Sequence, residues 1–301
     1  MRTGGMMYNQ YIKIKKRGIY MNKRKISICE WNVNQATDLY GANEIPEFIG
    51  SEIVKRNPDI FVLTEIVKCK GYESFANYLK ENGYSYEISC NNSDVNDKQN
   101  DVLIAWKENM FEKLSIDNRI RTSRNNNCPN FLLVKLKRIS DKKIINVVGL
   151  RITIQSFKNR KKQMEMVFKH LTEISNVEEC TIITGDFNNN RRGYQGEWSM
   201  NILDSLAKQY GFTLFTPEGS SIGSEHAWKK EYEFAEDHFL VNKGNMSEYR
   251  YDRDFAYEYK DIYLHGGDFS VYVPQLKAVV WKIDYGCGVP DHAILQGMLE
   301  L

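Results

Sequence analysis

Strand-length apolar runs recur along this chain, and two kinds of spacer separate them. Some runs are joined through amphipathic helical patterns, and others through short segments typical of hairpin turns. Because helical spacers favour parallel strand pairs and hairpin turns favour antiparallel pairs, the sheets should be mixed. So many strands need two sheets to bury their apolar faces. The sequence therefore predicts a four-layer α/β sandwich, with two mixed β-sheets packed face to face and helices outside.

The apolar runs define most of the expected elements. Strands are predicted at 26–32, 60–65, 84–88, 101–106, 131–136, 144–150, from Thr181 onward, 212–215, 235–241 and 290–295. Helices are predicted at 44–56, 72–82, 160–175 and 198–210. Asn57 and Pro58 should end the first helix. The aromatic-rich segment 249–283 is interpreted as an extra hairpin packed on the core, with a surface that stacks on bases as the alternative.

Charge is distributed unevenly between the start of the chain and its body. The formal net charge is +2, but residues 1–25 hold eight Lys or Arg and no acid, which leaves 33 basic and 39 acidic residues. We expect residues 1–24 to be a poorly ordered basic leader and residues 25–301 to form a single domain. A nucleic acid would then be held by local basic patches or by metal ions, and not by a global positive field.

Six cysteines are scattered without any C-x-x-C pair, which argues against both a disulfide framework and a zinc ribbon. No apolar run approaches the ~18 residues of a membrane span, and the basic start lacks the features of a signal peptide. The sequence therefore predicts reduced thiols, a cytoplasmic location and no membrane span. Nothing in it indicates a protein partner.

The run from Thr181 to Asn188 delivers a carboxylate and an amide two residues apart. Because side chains alternate along a strand, Asp186 and Asn188 should point to one side while Phe187 enters the core. A carboxylate can orient a water and an amide can donate to an anionic oxygen, as attack by water on phosphorus requires. The alternative is a strand that runs into an Asx turn.

Four other apolar runs are expected to end in similar polar groups: Asn32 and Asn34, Glu65, Asp237 and His238, and Asp291 and His292. Carboxylates and amides with few thiols form a hard, oxygen-rich site, which suits Mg²⁺ or Mn²⁺ better than zinc. Glu65 is the strongest single candidate. A Glu after a Phe-Val-Leu run is costly to bury unless it is paired, and a cation would pair it.

The order of these motifs resembles the endonuclease/exonuclease/phosphatase superfamily, which includes apurinic endonucleases, deoxyribonucleases, sphingomyelinases and inositol polyphosphate 5-phosphatases. The resemblance runs from about Ile26 to the C-terminus and rests on Trp-Asn-Val-Asn at 31–34, Leu-Thr-Glu at 63–65, Gly-Asp-Phe-Asn at 185–188, and Asp-His at 237–238 and 291–292. One such block is a moderate signal, whereas several in the right order are specific.

The resemblance implies a role for each of these residues. Asn32 and Glu65 would hold the metal, with Asn34 and Asp291 completing its site. Asp186 would orient the attacking water and Asn188 would contact the phosphoryl oxygens. His292 would stabilise the scissile phosphate, with Asp237 fixing its ring.

One residue departs from the family pattern. Relatives carry a histidine or tyrosine after the strand that precedes the Gly-Asp-Phe-Asn block, whereas this chain has Arg151. A guanidinium cannot act as a general acid near neutral pH, although it can clamp a phosphate. The group that protonates the leaving oxygen therefore has no assignment. The alternative interpretation of this position is that Arg151 is only a surface residue at a strand end.

The expected substrate is DNA, cleaved by a Mg²⁺-dependent phosphodiesterase. The expected phosphate contacts are basic residues in two loops, namely Arg191, Arg192, Arg121 and Arg124. The charges at 158–162 are further candidates for phosphate contacts, but the preferred interpretation is a solvated face. Two alternatives stay open: an enzyme that hydrolyses small phosphorylated molecules such as phosphoinositides or nucleotides, and a non-catalytic binding protein with the same fold.

Overall fold

The computed structural model describes residues 25–35, 45–89, 101–118, 120, 128–154, 156–174, 176, 178–189, 198–222, 234–259, 262–265, 270–273, 278–281 and 290–301. The predicted basic leader at 1–24 lies outside these ranges, as do all four arginines assigned to substrate phosphate, Arg121, Arg124, Arg191 and Arg192.

Four helices and sixteen strands make up the described part of the chain. The helices are α1 (Glu47–Arg56), α2 (Tyr72–Glu81), α3 (Phe157–Ile174) and α4 (Met200–Gln209). The first eight strands are β1 (Ile26–Asn32), β2 (Ile60–Ile66), β3 (Tyr84–Ile88), β4 (Asp101–Lys107), β5 (Phe111–Asp117), β6 (Asn130–Arg138), β7 (Ile144–Arg151) and β8 (Cys180–Asp186). The remaining strands are β9 (Thr213–Phe215), β10 (Asp237–Val241), β11 (Asn245–Asp252), β12 (Ala256–Tyr259), β13 (Ile262–His265), β14 (Ser270–Val273), β15 (Ala278–Trp281) and β16 (Ile294–Glu300).

Two six-stranded sheets form the centre of the protein. The first has the strand order β11-β16-β1-β2-β4-β3, and the second has the order β5-β6-β7-β8-β10-β9. Each sheet contains one parallel pair, β1 with β2 and β7 with β8, among antiparallel neighbours. Both sheets are therefore mixed, as the two kinds of spacer predicted.

The core is divided into three apolar layers. Ile28, Val62 and Val147 belong to the layer between the two sheets. Helices α1 and α2 cover the outer face of the first sheet, and α3 and α4 cover the outer face of the second. The predicted four-layer α/β sandwich is confirmed. Among the described helices, none is long and apolar enough to cross a membrane.

Helix α1 ends where the sequence predicted. Asn57 adopts a left-handed conformation with φ of 51°, and its N–H donates to the carbonyl oxygens of Ile53 and Val54. Pro58 follows and disfavours a helical conformation for Asn57. The chain consequently turns into β2 after two residues.

The sequence prediction missed two strands for a physical reason. Strand β5 is an edge strand exposed on most of its length, and Leu114 and Ile116 are 42% and 45% exposed. It therefore lacks the alternation of a half-buried strand. Strand β11 also lies at an edge and is mostly polar.

Segment 249–283 was interpreted as one extra hairpin. It contains the end of β11 and two separate hairpins, β12 with β13 and β14 with β15.

The site lies at one end of the sandwich because of strand direction. The parallel strands β1, β2, β7 and β8 end there, whereas the antiparallel strands β10 and β16 begin there. Asp237 is accordingly the first residue of β10, and Asp291 and His292 precede β16. Our expectation that these three residues follow apolar runs was wrong, although they reach the same end of the sandwich.

Candidate active site

Asp186 and Asn188 come together through a break in the strand geometry. Gly185 has φ of 146° and Asn188 has φ of 48°, both in the left-handed region. The Asn188 Nδ2 donates to Asp186 Oδ2 at 2.9 Å and to the Ile152 carbonyl oxygen at 2.7 Å. The Asn188 backbone N–H donates to Asp186 Oδ1 at 2.8 Å, which is an Asx turn. The alternative of an Asx turn is therefore present in the structure, and the turn itself places the Asn188 amide beside the Asp186 carboxylate.

Asp186 is joined to the opposite sheet by Asn32. The Asn32 Nδ2 donates to Asp186 Oδ2 at 3.1 Å, across the space between the sheets. The backbone N–H of Asn34, whose φ is 49°, donates to Asn32 Oδ1 at 2.9 Å and fixes the amide orientation. Residues far apart in the chain thus share one buried carboxylate, and Asp186 is only 2% exposed.

Arg151 and Glu65 form a buried ion pair beside Asp186. Arg151 Nε lies 2.5 Å from Glu65 Oε1 and 3.7 Å from Asp186 Oδ2. The two partners are 2% and 7% exposed, so the interpretation of Arg151 as a surface residue was wrong. Burial raises the pKa of Glu65 to about 7, although Arg151 acts to lower it. Glu65 also has φ of 55°, so its backbone is held in a conformation that glutamate seldom adopts.

Loss of either partner of this ion pair should lower stability, but by different amounts. In a metal-chelating buffer at neutral pH, Glu65→Gln should lower the free energy of unfolding by about 3–5 kcal/mol, because Arg151 stays charged and buried without its nearest partner. Arg151→Met should cost less, since Glu65 can then take up a proton. Urea denaturation of both variants and of the double variant measures the coupling. Additive losses, or a larger loss for Arg151→Met, would show that the pair does not stabilise the fold in this way.

His292 is held by Asp237 at one ring nitrogen. The distance from His292 Nδ1 to Asp237 Oδ2 is 2.8 Å, and both residues are buried. Burial lowers the pKa of His292, but Asp237 more than offsets this and the resulting pKa lies well above the usual 6.5. The Trp31 indole Nε1 donates to the His292 carbonyl oxygen at 3.1 Å. This shift favours the protonated imidazole, and the contact with Asp237 fixes the ring direction, with Nε2 turned away from Asp237.

The expected metal ligands are partly assembled. Glu65, Asn32 and Asp291 offer oxygen atoms at this end of the sandwich, and the Asp291 charge acts on the pKa of both Glu65 and His292. Within the described ranges, no three His, Cys, Asp or Glu side chains are grouped so as to hold an ion by themselves. Mg²⁺ usually takes only one or two protein carboxylates and keeps several waters. Arg151 already pairs with Glu65 Oε1, so Oε2 is the oxygen of this buried carboxylate that could help to hold such an ion.

The structure adds two glutamates, Glu30 and Glu236, that sequence reasoning missed. Glu30 is completely buried on β1 and accepts a hydrogen bond from Thr64 Oγ1 at 3.2 Å. Burial and the Asp237 charge raise its pKa well above 4.5. Its signal was present in the sequence, because Glu30 alternates with Ile26 and Ile28 on the face that enters the core.

The second missed residue is Glu236. It directly precedes β10, and its Oε2 lies 4.0 Å from His292 Nε2. It has no local sequence signal, because only tertiary packing brings it here.

Arg160 differs from the other charges at 158–162. It is partly buried, and its Nη1 donates to the Asn188 carbonyl oxygen at 2.7 Å, so it is directed toward the site. Lys158, Lys161 and Lys162 are exposed, as expected for a solvated face.

His238 supports the loop after β8. Its Nε2 lies 2.8 Å from Asn189 Oδ1 and its Nδ1 lies 2.8 Å from Thr216 Oγ1, and the residue is fully buried. Both ring nitrogens are thereby engaged in holding neighbouring side chains. The Asp-His dipeptide at 237–238 consequently contributes Asp237 to the site and His238 to its support.

Known structures share this fold, although no protein-family model and no curated protein matches the sequence. An endonuclease/exonuclease/phosphatase family protein from Bacteroides thetaiotaomicron is 14% identical with a TM-score of 0.61, over 92% of this chain and 97% of that one. A mannosyl-6-phosphatase from the same organism is 15% identical with a TM-score of 0.63, over 92% and 100%. The D. rerio TDP2 complexed with single-strand DNA product is 12% identical with a TM-score of 0.55, over 92% and 99%.

Proposed function

We propose that this chain, whose fold is that of the endonuclease/exonuclease/phosphatase superfamily, is a divalent-metal-dependent phosphodiesterase that hydrolyses DNA. The observation that carries this proposal is the convergence around Asp186. Its carboxylate accepts hydrogen bonds from Asn32 and Asn188, lies 3.7 Å from Arg151 Nε, and influences the pKa of His292. An acid, two amides and two cations held together can orient a water and stabilise charge on phosphoryl oxygens.

Asp186 is suited to the role of general base. Burial raises the pKa of its carboxyl above 3.8, while His292 and Arg151 act to lower it. A carboxylate with a raised pKa takes a proton from water more readily than an ordinary aspartate does. Asn188 holds this carboxylate in place through its backbone N–H and its side-chain amide.

Two cations of this chain would stabilise the phosphate. His292 offers Nε2–H from a charged imidazole, and Arg151 offers a guanidinium that is already desolvated. Both are fixed by carboxylates, so little reorganisation is needed as negative charge develops on phosphorus oxygens. Glu65, Asn32 and Asp291 would hold the metal ion, with Asn34 fixing the Asn32 amide. A bound Mg²⁺ or Mn²⁺ supplies Lewis-acid stabilisation of the phosphoryl oxygens and of the leaving oxygen.

DNA is favoured as substrate by one structural neighbour that was solved with a single-strand DNA product. The second candidate is a small phosphorylated molecule. It is supported by the mannosyl-6-phosphatase neighbour. A non-catalytic binding protein is disfavoured, because Glu65, Asp186 and His292 are arranged together in one site.

The test is hydrolysis by the full chain with Mg²⁺ or Mn²⁺, assayed separately on supercoiled plasmid, single-stranded DNA, RNA, abasic duplex and inositol or sugar phosphates. We expect plasmid nicking that Glu65→Gln and His292→Ala each abolish. Activity confined to the small phosphates would favour the second candidate. No metal-dependent activity on any substrate would overturn the proposal.

A further inference from the structure

The backbone of Glu236 is held by hydrogen bonds on both sides, so its side chain starts from a defined position. The Phe187 N–H donates to the Glu236 carbonyl oxygen at 2.7 Å, and the Glu236 N–H donates to Ser221 Oγ at 2.8 Å. The side chain is 12% exposed. It therefore reaches the site from a fixed position and keeps a small surface open to a bound molecule.

The Glu236 carboxyl lies beside the one nitrogen of His292 that Asp237 does not engage. Glu236 Oε2 is 4.0 Å from His292 Nε2, which is too far for a hydrogen bond between them. Two polar atoms at this separation can both reach a third atom placed between them, at about 2.8 Å from each. A phosphoester oxygen in that place would contact His292 and Glu236 at once.

Charged groups on several neighbouring elements act on the pKa of Glu236. Burial and the carboxylates of Asp186 and Asp237 raise the pKa of Glu236 well above 4.5, whereas His292 and, from α3, Arg160 act to lower it. The carboxyl is therefore neutral over a wider pH range than an exposed glutamate. A protonated carboxyl has an O–H donor, which a carboxylate lacks.

We propose that Glu236 is the acid that protonates the leaving oxygen during phosphoester hydrolysis. The inference rests on the proposed function and fills the role for which Arg151, as a permanent cation, is unsuited. His292 is fixed by Asp237 through Nδ1 and keeps its separate role as a donor to the phosphate through Nε2. Asp186 is then the general base and Glu236 the general acid. Two carboxyl groups with different surroundings take these two roles in other hydrolases as well.

The step balances in atoms and charge. A bond forms between the water oxygen and phosphorus, and the bond between phosphorus and the leaving oxygen breaks. The water gives one proton to the Asp186 carboxylate, and the Glu236 carboxyl gives its proton to the departing oxygen, which leaves as an alcohol. Exchange with solvent then returns Asp186 to its ionised form and Glu236 to its protonated form.

The experiment compares two leaving groups on the same phosphoryl group. One substrate is the ester of an aliphatic alcohol that the wild type hydrolyses, and the other is the corresponding 4-nitrophenyl ester, whose leaving group needs no proton. We expect Glu236→Gln to lower kcat on the aliphatic ester by about 10²- to 10³-fold and on the 4-nitrophenyl ester by less than about tenfold. Glu179→Gln, at a mostly buried glutamate that pairs with Lys135, is the matched control and should change neither rate.

Equal losses on the two esters would overturn the inference, because a group that only binds or positions the substrate affects both. A series of aryl esters with the wild-type chain gives the same answer without a variant: a strong dependence of kcat on leaving-group pKa would contradict acid assistance. If the wild type hydrolyses none of the esters, the proposed function fails and this inference fails with it. An active wild type with equal losses for Glu236→Gln leaves the function intact and rejects only the acid.

Discussion

Asp186→Asn is expected to lower kcat for phosphoester hydrolysis by about 10²- to 10⁴-fold, the range that loss of a general base produces. The substitution keeps the size of the side chain and an oxygen that can accept from Asn32 Nδ2 or Asn188 Nδ2. It removes the negative charge that takes the proton from water. KM should change much less than kcat, because substrate phosphate is held mainly by other groups.

The control for Asp186→Asn is another mostly buried aspartate outside the site. Asp59 is 6% exposed and accepts from the Ser27 N–H at 3.0 Å near the start of β1, the opposite end of that strand from Asn32. Asp59→Asn should leave kcat unchanged. Thermal unfolding of both variants separates folding from chemistry. If Asp186→Asn keeps more than a tenth of the wild-type kcat while remaining folded, Asp186 is not the base.

Gly185→Ala should have the largest effect on stability, lowering the free energy of unfolding by more than about 4 kcal/mol. A Cβ atom built on Gly185 would lie 1.8 Å from the carbonyl oxygen of Leu150, on the neighbouring parallel strand. The φ of 146° adds strain that only glycine avoids. Backbone cannot move away without breaking the pairing of β7 with β8 next to Arg151 and Asp186. The variant should express poorly or unfold at low urea concentration.

Gly83→Ala is the control that measures backbone strain without a steric clash. Gly83 has φ of 80°, but nothing lies within 4 Å of an added Cβ. Gly83→Ala should lower the free energy of unfolding by roughly 1–2 kcal/mol, the cost of a non-glycine residue in the left-handed conformation. Urea denaturation of the two variants measures the difference. Equal losses would mean that the close approach of Leu150 does not restrict position 185.

Much of the layered fold follows from patterns that are local in the sequence. The continuous apolar run that became β2 and the helical spacing of α1 each contain enough repeats to identify an element, and Asn57 with Pro58 marks a helix end. The edge strands β5 and β11 were missed because edge strands are less buried, and burial is what produces the pattern. Strand identity was thus predictable where an apolar pattern is kept, as in the central strands and in the edge strand β3.

The candidate site was predictable only in part. Asn32, Glu65, Asp186 and His292 belong to motifs whose order resembles a known superfamily, and the structure brings them to one end of the sandwich. Arg151 could be identified as unusual but not as the partner of Glu65. That ion pair depends on β2 and β7 facing each other from different sheets, which is information the local sequence does not contain.

The sequence by itself determined the alternating strands and helices, the mixed sheets and the chemical type of the site, because these depend on residue type and on spacing along the chain. Only the tertiary structure decided that Arg151 neutralises Glu65, and that Glu236 and Arg160 approach His292 and Asn188. The physical reason is that burial and neighbouring charge set the protonation of a carboxyl. Both quantities arise from residues that are distant in sequence and meet only when the two sheets pack.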